Sequence, residues 1–307
     1  MSITRRRLIT ISAALAVLPA MARATTGTSR QWTGQALGAR ASIRLDHPDG
    51  EAIAARVMAE INRLEDILSL YRPQSALSRL NREGRLAAPP FELLDCLSLA
   101  GAVHHASAGR FDPTIQPLWA LWAEAAAGGR RPDAAAIEAV RRKVGWRGVE
   151  LDAAAITLRP GMALTLNGIG QGYVADRVAA LLEAEGLTDI LIDTGELRAL
   201  GGKPGGGEWP VRLETGQRLA LRQRALATSA LLGTTFDRTG KDGHILDPAT
   251  GRPGRSNWRA ISISAPSAAI ADALATAACL MPERQAILAM TERFEGARLE
   301  AGTAPAP

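Results

Sequence analysis

Apolar side chains recur at Ile53, Val57, Ile61, Leu64, Ile67 and Leu68. That three-and-four spacing predicts an amphipathic helix over residues 52–70. Similar stripes predict helices over residues 90–108, 117–127 and 134–144. Residues 31–45 alternate weakly around Gly34 and Gly38 and read as a strand with a turn or bulge. Residues 149–151 and 156–158 read as a hairpin around Asp152-Ala153, and residues 189–193 as a buried strand. Short strand character runs through residues 260–264. Ser267 is placed to cap a helix ending near Leu280, and Pro282 opens a last helix. Gly128–Pro132 and Gly201–Gly207 read as loops, and residues 301–307 as a frayed tail. No short repeat appears, and no linker is long enough to force two domains. By itself this pattern says only mixed α and β.

The densest signal is Leu166-Asn167-Gly168-Ile169-Gly170-Gln171-Gly172-Tyr173. A strand-like lead, Met162–Leu166, enters it and a helical stripe, Val174–Leu182, leaves it. Glycines in such a place let backbone approach a phosphate closely. No Gly-Lys-Ser/Thr follows, and the glycine spacing is not that of a dinucleotide fingerprint. A tight turn and a nucleotide-like ligand both remain open at this point.

Composition narrows the picture. Of 307 residues, 47% are hydrophobic and 22% charged, the balance of a folded domain with a substantial core. Residues 1–24 stand apart. Arg5-Arg6-Arg7 precedes an apolar run, Leu8–Leu18, and Ala22-Arg23-Ala24 supplies a small-x-small cleavage site. The run is short for a membrane span, and Arg5-Arg6 resembles a twin-arginine export signal. The expected organisation is a leader over 1–24 and one domain over 25–307, with a periplasmic location. Arg5, Arg6, Arg7 and Arg23 carry four of the five net positive charges, so residues 25–307 are left at +1. A domain that close to neutral lacks the overall charge of a nucleic-acid binder, and Arg141-Arg142-Lys143 reads as a solvated helix face. Cys96 and Cys279, the only cysteines, sit in apolar helical contexts and read as buried small side chains. A disulfide between them stays open in an oxidising compartment. They and the four histidines form no zinc pattern.

Four further stretches carry chemistry. Asp272 and Thr276 are four apart among Ala and Leu and share one helix face. They are either hard-oxygen ligands suited to magnesium or an exposed acid with a filler. His244, after Asp242-Gly243 and before the Asp247-Pro248 turn, is either a general base or a solvated turn residue. Tyr71 either stacks on a planar ring or covers the core. Asp112, before Pro113-Thr114, either holds a ligand amide or caps the next element.

Taken in order, these pieces resemble the FAD:protein FMN transferases. The match runs through Leu37-Gly38-Ala39, Ser69-Leu70-Tyr71, Ser75–Asn81 and Phe111-Asp112-Pro113-Thr114. It continues through Asn167–Asp176, Asp193-Thr194-Gly195-Glu196, His244–Gly251 and Ala271–Ala277. The resemblance implies an α+β fold, a mixed and largely antiparallel sheet packed with helices. It implies magnesium-dependent transfer of FMN from FAD to a Thr or Ser of a partner protein, with AMP leaving. Asp272 and Thr276 match the side-chain metal ligands. Gly168 and Ala275 match positions that would ligate through backbone carbonyls. Leu37, Tyr71, Arg110, Phe111, Asp112, Thr165, Gln171 and Leu246 match positions lining the FAD pocket, and His244 matches the base. The Asn-Gly-Ile-x-Gln-Gly-Tyr variant is similar to an exported subgroup that serves respiratory membrane flavoproteins. There are departures. Thr165 stands where relatives carry an acid, Gln171 where they carry Lys, Leu37 for a Met, and Ala76 for an acid. Two other readings are an FAD pyrophosphatase releasing FMN and AMP, and a flavin-binding protein without activity.

Overall fold

The computed structural model describes residues 30–213 and 216–303. The expected leader lies outside them. Strands β1 (Arg30–Ala36) and β2 (Ala39–Leu45) form a hairpin, not one bulged strand. Their two-residue turn holds Leu37 at φ 50° and Gly38 at φ 86°, the left-handed pair that matches strand twist. Leu37 has no intrinsic preference for that region. Its N–H donates to Glu65 Oε1 at 2.7 Å, on helix α1 (Gly50–Leu68), whose buried stripe is the expected one.

Helix α2 (Ala76–Glu83) was not legible as a separate element. Ser75 caps it by accepting the Ser78 N–H at 3.0 Å, and its hydroxyl donates to Ser69 O. Strand β3 (Arg85–Ala87), helix α3 (Phe91–Ala106), helix α4 (Gln116–Ala127) and helix α5 (Ala134–Arg141) follow. Strands β4 (Val149–Leu151) and β5 (Ala155–Leu158) form the expected hairpin, and β3 joins it as a third strand.

The strand-like Met162–Leu166 lead enters no ladder. Asn81 pairs with it instead, its side chain donating to Leu164 O at 2.8 Å and accepting the Leu164 N–H at 2.7 Å. Helix α6 (Gly170–Ala184) begins inside the glycine run, earlier than its apolar stripe indicated.

Strands β6 (Ile190–Asp193), β7 (Leu197–Leu200), β8 (Trp209–Arg212), β9 (Arg218–Leu221) and β10 (Ala225–Ser229) come next. A two-residue ladder, β11 (Leu246–Asp247) with β12 (Arg252–Pro253), ties the histidine loop. Strand β13 (Ala260–Ala265), helix α7 (Ala268–Ala278), helix α8 (Arg284–Thr291) and strand β14 (Arg298–Thr303) complete the chain. The tail is therefore not frayed through residue 303: Ala301–Thr303 pair with β13.

The main sheet has seven strands in the order β1-β2-β6-β7-β10-β13-β14, every neighbouring pair antiparallel. The expected α+β architecture, a large antiparallel sheet with packed helices, is the one observed. Helices α1, α3, α6 and α7 bury one shared core against the sheet. The β8–β9 hairpin covers Leu191, Ala199 and Leu226 in a second cluster. A third cluster, Leu118, Trp122, Ile137 and Leu246, anchors the histidine loop to α4 and α5. Cys96 and Cys279 are free and fully buried, and burial raises both thiols, so they pack as small apolar side chains. No helix among the described residues is long and apolar enough to cross a membrane.

Candidate active site

Helices α6 and α7 cross at the centre of the site. A Cβ added to Gly172 would lie 2.2 Å from Ala268 O, so this glycine exists to let α7 touch α6. Gly172 is thus spent on helix packing, and a Cβ on Gly170 would lie 2.8 Å from Leu37 Cδ1, so neither of these glycines is free for a phosphate alone. Gly168 is the one that faces chemistry. A Cβ there would sit 3.0 Å from Thr276 Oγ1 and 3.1 Å from the Phe111 ring. Among the described residues no N–H donates to its carbonyl.

Asp272 lies one turn before Thr276 on α7. It is 3% exposed, so it is not the acid of a solvated face. Its one hydrogen-bond partner is the Gly172 N–H, at 3.5 Å. A carboxylate so poorly satisfied is costly to bury as an anion. Burial accordingly pushes its pKa up to about 7. Glu196, in the turn between β6 and β7, is buried as well. Desolvation, then the nearby Asp272 charge, hold it well above the usual carboxylate range. Within Asp193-Thr194-Gly195-Glu196 the sequence assigns Glu196 no role; its one signal is a carboxylate directly before Leu197, where β7 begins. Ser229, 3.3 Å from Thr276 Oγ1, adds a hydroxyl. Two buried carboxylates, two hydroxyls and a free carbonyl form an all-oxygen donor set, which fits a hard divalent cation. No group of three or more His, Cys, Asp or Glu is found among the described residues, so backbone and hydroxyl oxygens would have to complete such a site. Ala275 fits least well among the proposed ligands, because its carbonyl accepts the Cys279 N–H at 3.2 Å.

The pocket positions spread outward from this centre. Tyr71 is 60% exposed, so it does not cover the core. Its ring lies 3.0 Å from the position of a Gly38 Cβ, and its hydroxyl is beside the Asn167 side chain. The Gln171 side chain lies 3.0 Å from the position of a Gly195 Cβ, and the Gln171 backbone carbonyl accepts the Thr194 hydroxyl at 2.9 Å. Thr165 donates its N–H to Pro113 O at 2.8 Å, and its hydroxyl accepts the Asn167 N–H at 3.2 Å. Asp112 caps a 3-10 turn, accepting the Thr114 N–H at 2.9 Å and the Thr114 hydroxyl at 2.6 Å. Its observed role is local. Leu246 is 4% exposed and belongs to the Leu118/Trp122 cluster, so its side chain packs inward and does not line the pocket. Arg110 pairs with Asp247 at 3.4 Å and so joins this side of the site to the histidine loop.

His244 is half-buried, not a solvated turn residue. Its Nδ1 donates to Thr234 O at 3.0 Å, which leaves Nε2 without a proton and available as an acceptor. Burial lowers its pKa below 6.5, so the ring is neutral at pH 7. The loop is held by the Trp122 indole, which donates to Gly251 O at 2.9 Å, and by Asp237, which accepts the Lys241 and Asp242 N–H groups.

The profile of the ApbE family matches residues 37–299. A FAD:protein FMN transferase of Treponema pallidum is 31% identical over 287 residues, covering 84% of this chain and 79% of its own length. One from Klebsiella pneumoniae is 32% identical over 221 residues, covering 66% and 67%. Among solved structures, the apo flavinyl transferase ApbE of Pseudomonas stutzeri superposes with a TM-score of 0.75 at 29% identity, over 86% of this chain and 88% of that one. An ApbE protein of Thermotoga maritima gives 0.79 at 25% identity, over 90% and 96%.

Proposed function

This chain belongs to the ApbE family, and we propose that it transfers FMN from FAD to a Thr or Ser hydroxyl of a partner protein. The acceptor Oγ–P bond forms on the FMN phosphorus, the P–O bond to AMP breaks, and AMP departs with the bridging oxygen. The hydroxyl proton passes to His244 Nε2. The observation that carries this reading is the pairing of a neutral, correctly oriented imidazole with an all-oxygen centre around Asp272 in one family fold. Asp272, Thr276 and the Gly168 carbonyl would hold magnesium, with Glu196 beside them. When bound, the ion supplies neutralisation of the pyrophosphate and of charge developing on the leaving phosphate. Gly168 keeps the floor open for that phosphate, Tyr71 offers an exposed ring for stacking, and Arg110, Phe111, Leu37, Thr165, Gln171 and the Leu246 backbone line the remainder. Gln171 keeps hydrogen bonding where relatives carry a cation.

We assign the acceptor to the respiratory membrane flavoproteins on the strength of the Asn167-Gly168-Ile169-x-Gln171-Gly172-Tyr173 variant, and the protein to the periplasm on the strength of the Arg5-Arg6 leader. Replacing Arg5-Arg6 by Lys-Lys is expected to block export. Undiminished periplasmic yield would argue for the general secretory route.

The transfer test is direct. Protein, FAD, magnesium and a fragment bearing a Ser/Thr-Gly-Ala-Thr segment are incubated and resolved by denaturing electrophoresis. In-gel flavin fluorescence on the fragment is the expected result. FMN released without labelling would make the protein a pyrophosphatase, and bound, unchanged FAD would make it a carrier.

A further inference from the structure

The histidine loop borders a cavity of about 280 Å³ that the mechanism above does not use. Lys241, Arg252 and Arg255 line it together with Asp242 and Asp247. Both carboxylates are already committed. Asp242 pairs with Arg131. Asp247 pairs with Arg110 at 3.4 Å and accepts the Ala249 N–H at 2.9 Å. Asp237, the nearest other acid in the chain, is consumed by Thr239 and the Lys241 and Asp242 N–H groups. Among the described residues, the side chains of Lys241, Arg252 and Arg255 therefore have no carboxylate partner. Three exposed cations thus line one concavity whose two anions are already paired, Asp242 with Arg131 of the same lining and Asp247 with Arg110.

We infer that this surface receives an acidic segment of the acceptor protein and delivers its hydroxyl to His244. The inference rests on the transfer reading. Position supports it: His244 does not line the cavity itself, but Gly254, which does, donates its N–H to Ile245 O at 2.8 Å, so the cavity adjoins the segment that carries the base. Charge arithmetic supports it too. FAD would bring its negative charge at the pyrophosphate, which a cation held at the Asp272 centre would answer, leaving the three rim cations to the second substrate. The domain as a whole, at +1 over residues 25–307, has no general excess of positive charge, so the cations are a local feature. Leu232, 56% exposed and 3.4 Å from the position of a Gly243 Cβ, adds an apolar contact on the same loop. Acidic and apolar contacts together suit a polypeptide better than a free anion or a nucleic acid.

The test uses three synthetic peptides with one central Thr, flanked by Glu, by Gln or by Lys, against the wild type and a Lys241→Glu/Arg252→Glu/Arg255→Glu variant. Binding is read by fluorescence anisotropy and labelling by flavin fluorescence. The wild type is expected to bind the Glu peptide about tenfold tighter than the Gln peptide, with the gap closing at high salt. The variant is expected to reverse the preference toward the Lys peptide, with FAD affinity and melting temperature unchanged. Equal binding of the Glu and Gln peptides would overturn the inference. So would loss of FAD affinity in the variant, or a single-stranded oligonucleotide that binds as tightly as the Glu peptide. A Glu peptide that binds selectively but is not labelled would leave the surface standing, and the Ser/Thr-Gly-Ala-Thr fragment then decides the transfer reading separately.

Discussion

At the scale of single residues, burial decides chemistry. His244 has its pKa lowered by desolvation, and the Thr234 carbonyl fixes its tautomer. The acid limb of kcat/KM for transfer is therefore expected below pH 6.5, where the ring begins to take up the proton. Stability carries the same sign. Below pH 6.5 the unfolded chain binds a proton that the folded one resists, so stability falls with acidification. His244→Ala is expected to lose about a hundredfold or more in labelling rate while FAD binding persists; an unchanged rate would remove it as the base. Asp272→Asn is expected to abolish metal-dependent FMN transfer, followed as flavin fluorescence on the acceptor, because no other side chain carboxylate stands on that face of α7. Gly172→Ala adds a methyl 2.2 Å from a carbonyl oxygen. That contact is backbone and cannot rotate away, so a loss of about 3 kcal/mol in denaturant unfolding is expected. A variant as stable as the wild type would show that the two helices can separate freely.

At the scale of elements, Asp176 is the joint that aligns the site. From α6 it accepts the Ser267 hydroxyl at 2.7 Å, the Ala268 N–H at 2.8 Å and the Ala269 N–H at 3.0 Å, all at the start of α7. Arg198 balances its charge at 3.3 Å. A carboxylate at a helix N-terminus satisfies unpaired N–H groups and complements the dipole. Here it also sets the register between the element that follows Gly168 and the one bearing Asp272 and Thr276. Asp176→Ala is expected to cost about 2 kcal/mol, and to weaken magnesium binding more than FAD binding when each is measured by calorimetry. Equal weakening of both would mean that the residue serves stability alone. The Leu37 turn is a second joint. Its left-handed φ is held through Glu65, which also pairs with Arg72 beside Tyr71. The same ion cluster thus fixes both residues proposed at the flavin end.

At the scale of the whole molecule, the proposed ligand groups come from segments far apart in sequence: Tyr71, Gly168, Glu196, His244 and Asp272. A ligand that bridges them binds only the folded chain. FAD with magnesium at a hundredfold over their dissociation constants is expected to add about 2.7 kcal/mol to stability, seen as a rise in melting temperature. Chelation of the metal is expected to reverse most of it, and Asp272→Asn to show little of it.

The long helix α1 was legible because a one-sided apolar stripe has a period that no other element shares. The Ser267 cap and the β4–β5 hairpin were legible for equally local reasons. Strands β8 and β10, helix α2 and the ordered end of β14 were not. They are short, and their pairing comes from neighbours distant in sequence, which no local window contains. The same division runs through the site. Residue types and order along the chain determined the family, the α+β class, the roles open to His244 and the oxygen chemistry open to Asp272 and Thr276. Only the tertiary structure decided that Asp272 is buried, that Glu196 stands near it, and that Gly172 serves helix contact while Gly168 faces Thr276. The reason is physical: charge cost, tautomer and close approach depend on what surrounds a group in space, and those surroundings are assembled from segments far apart in the chain.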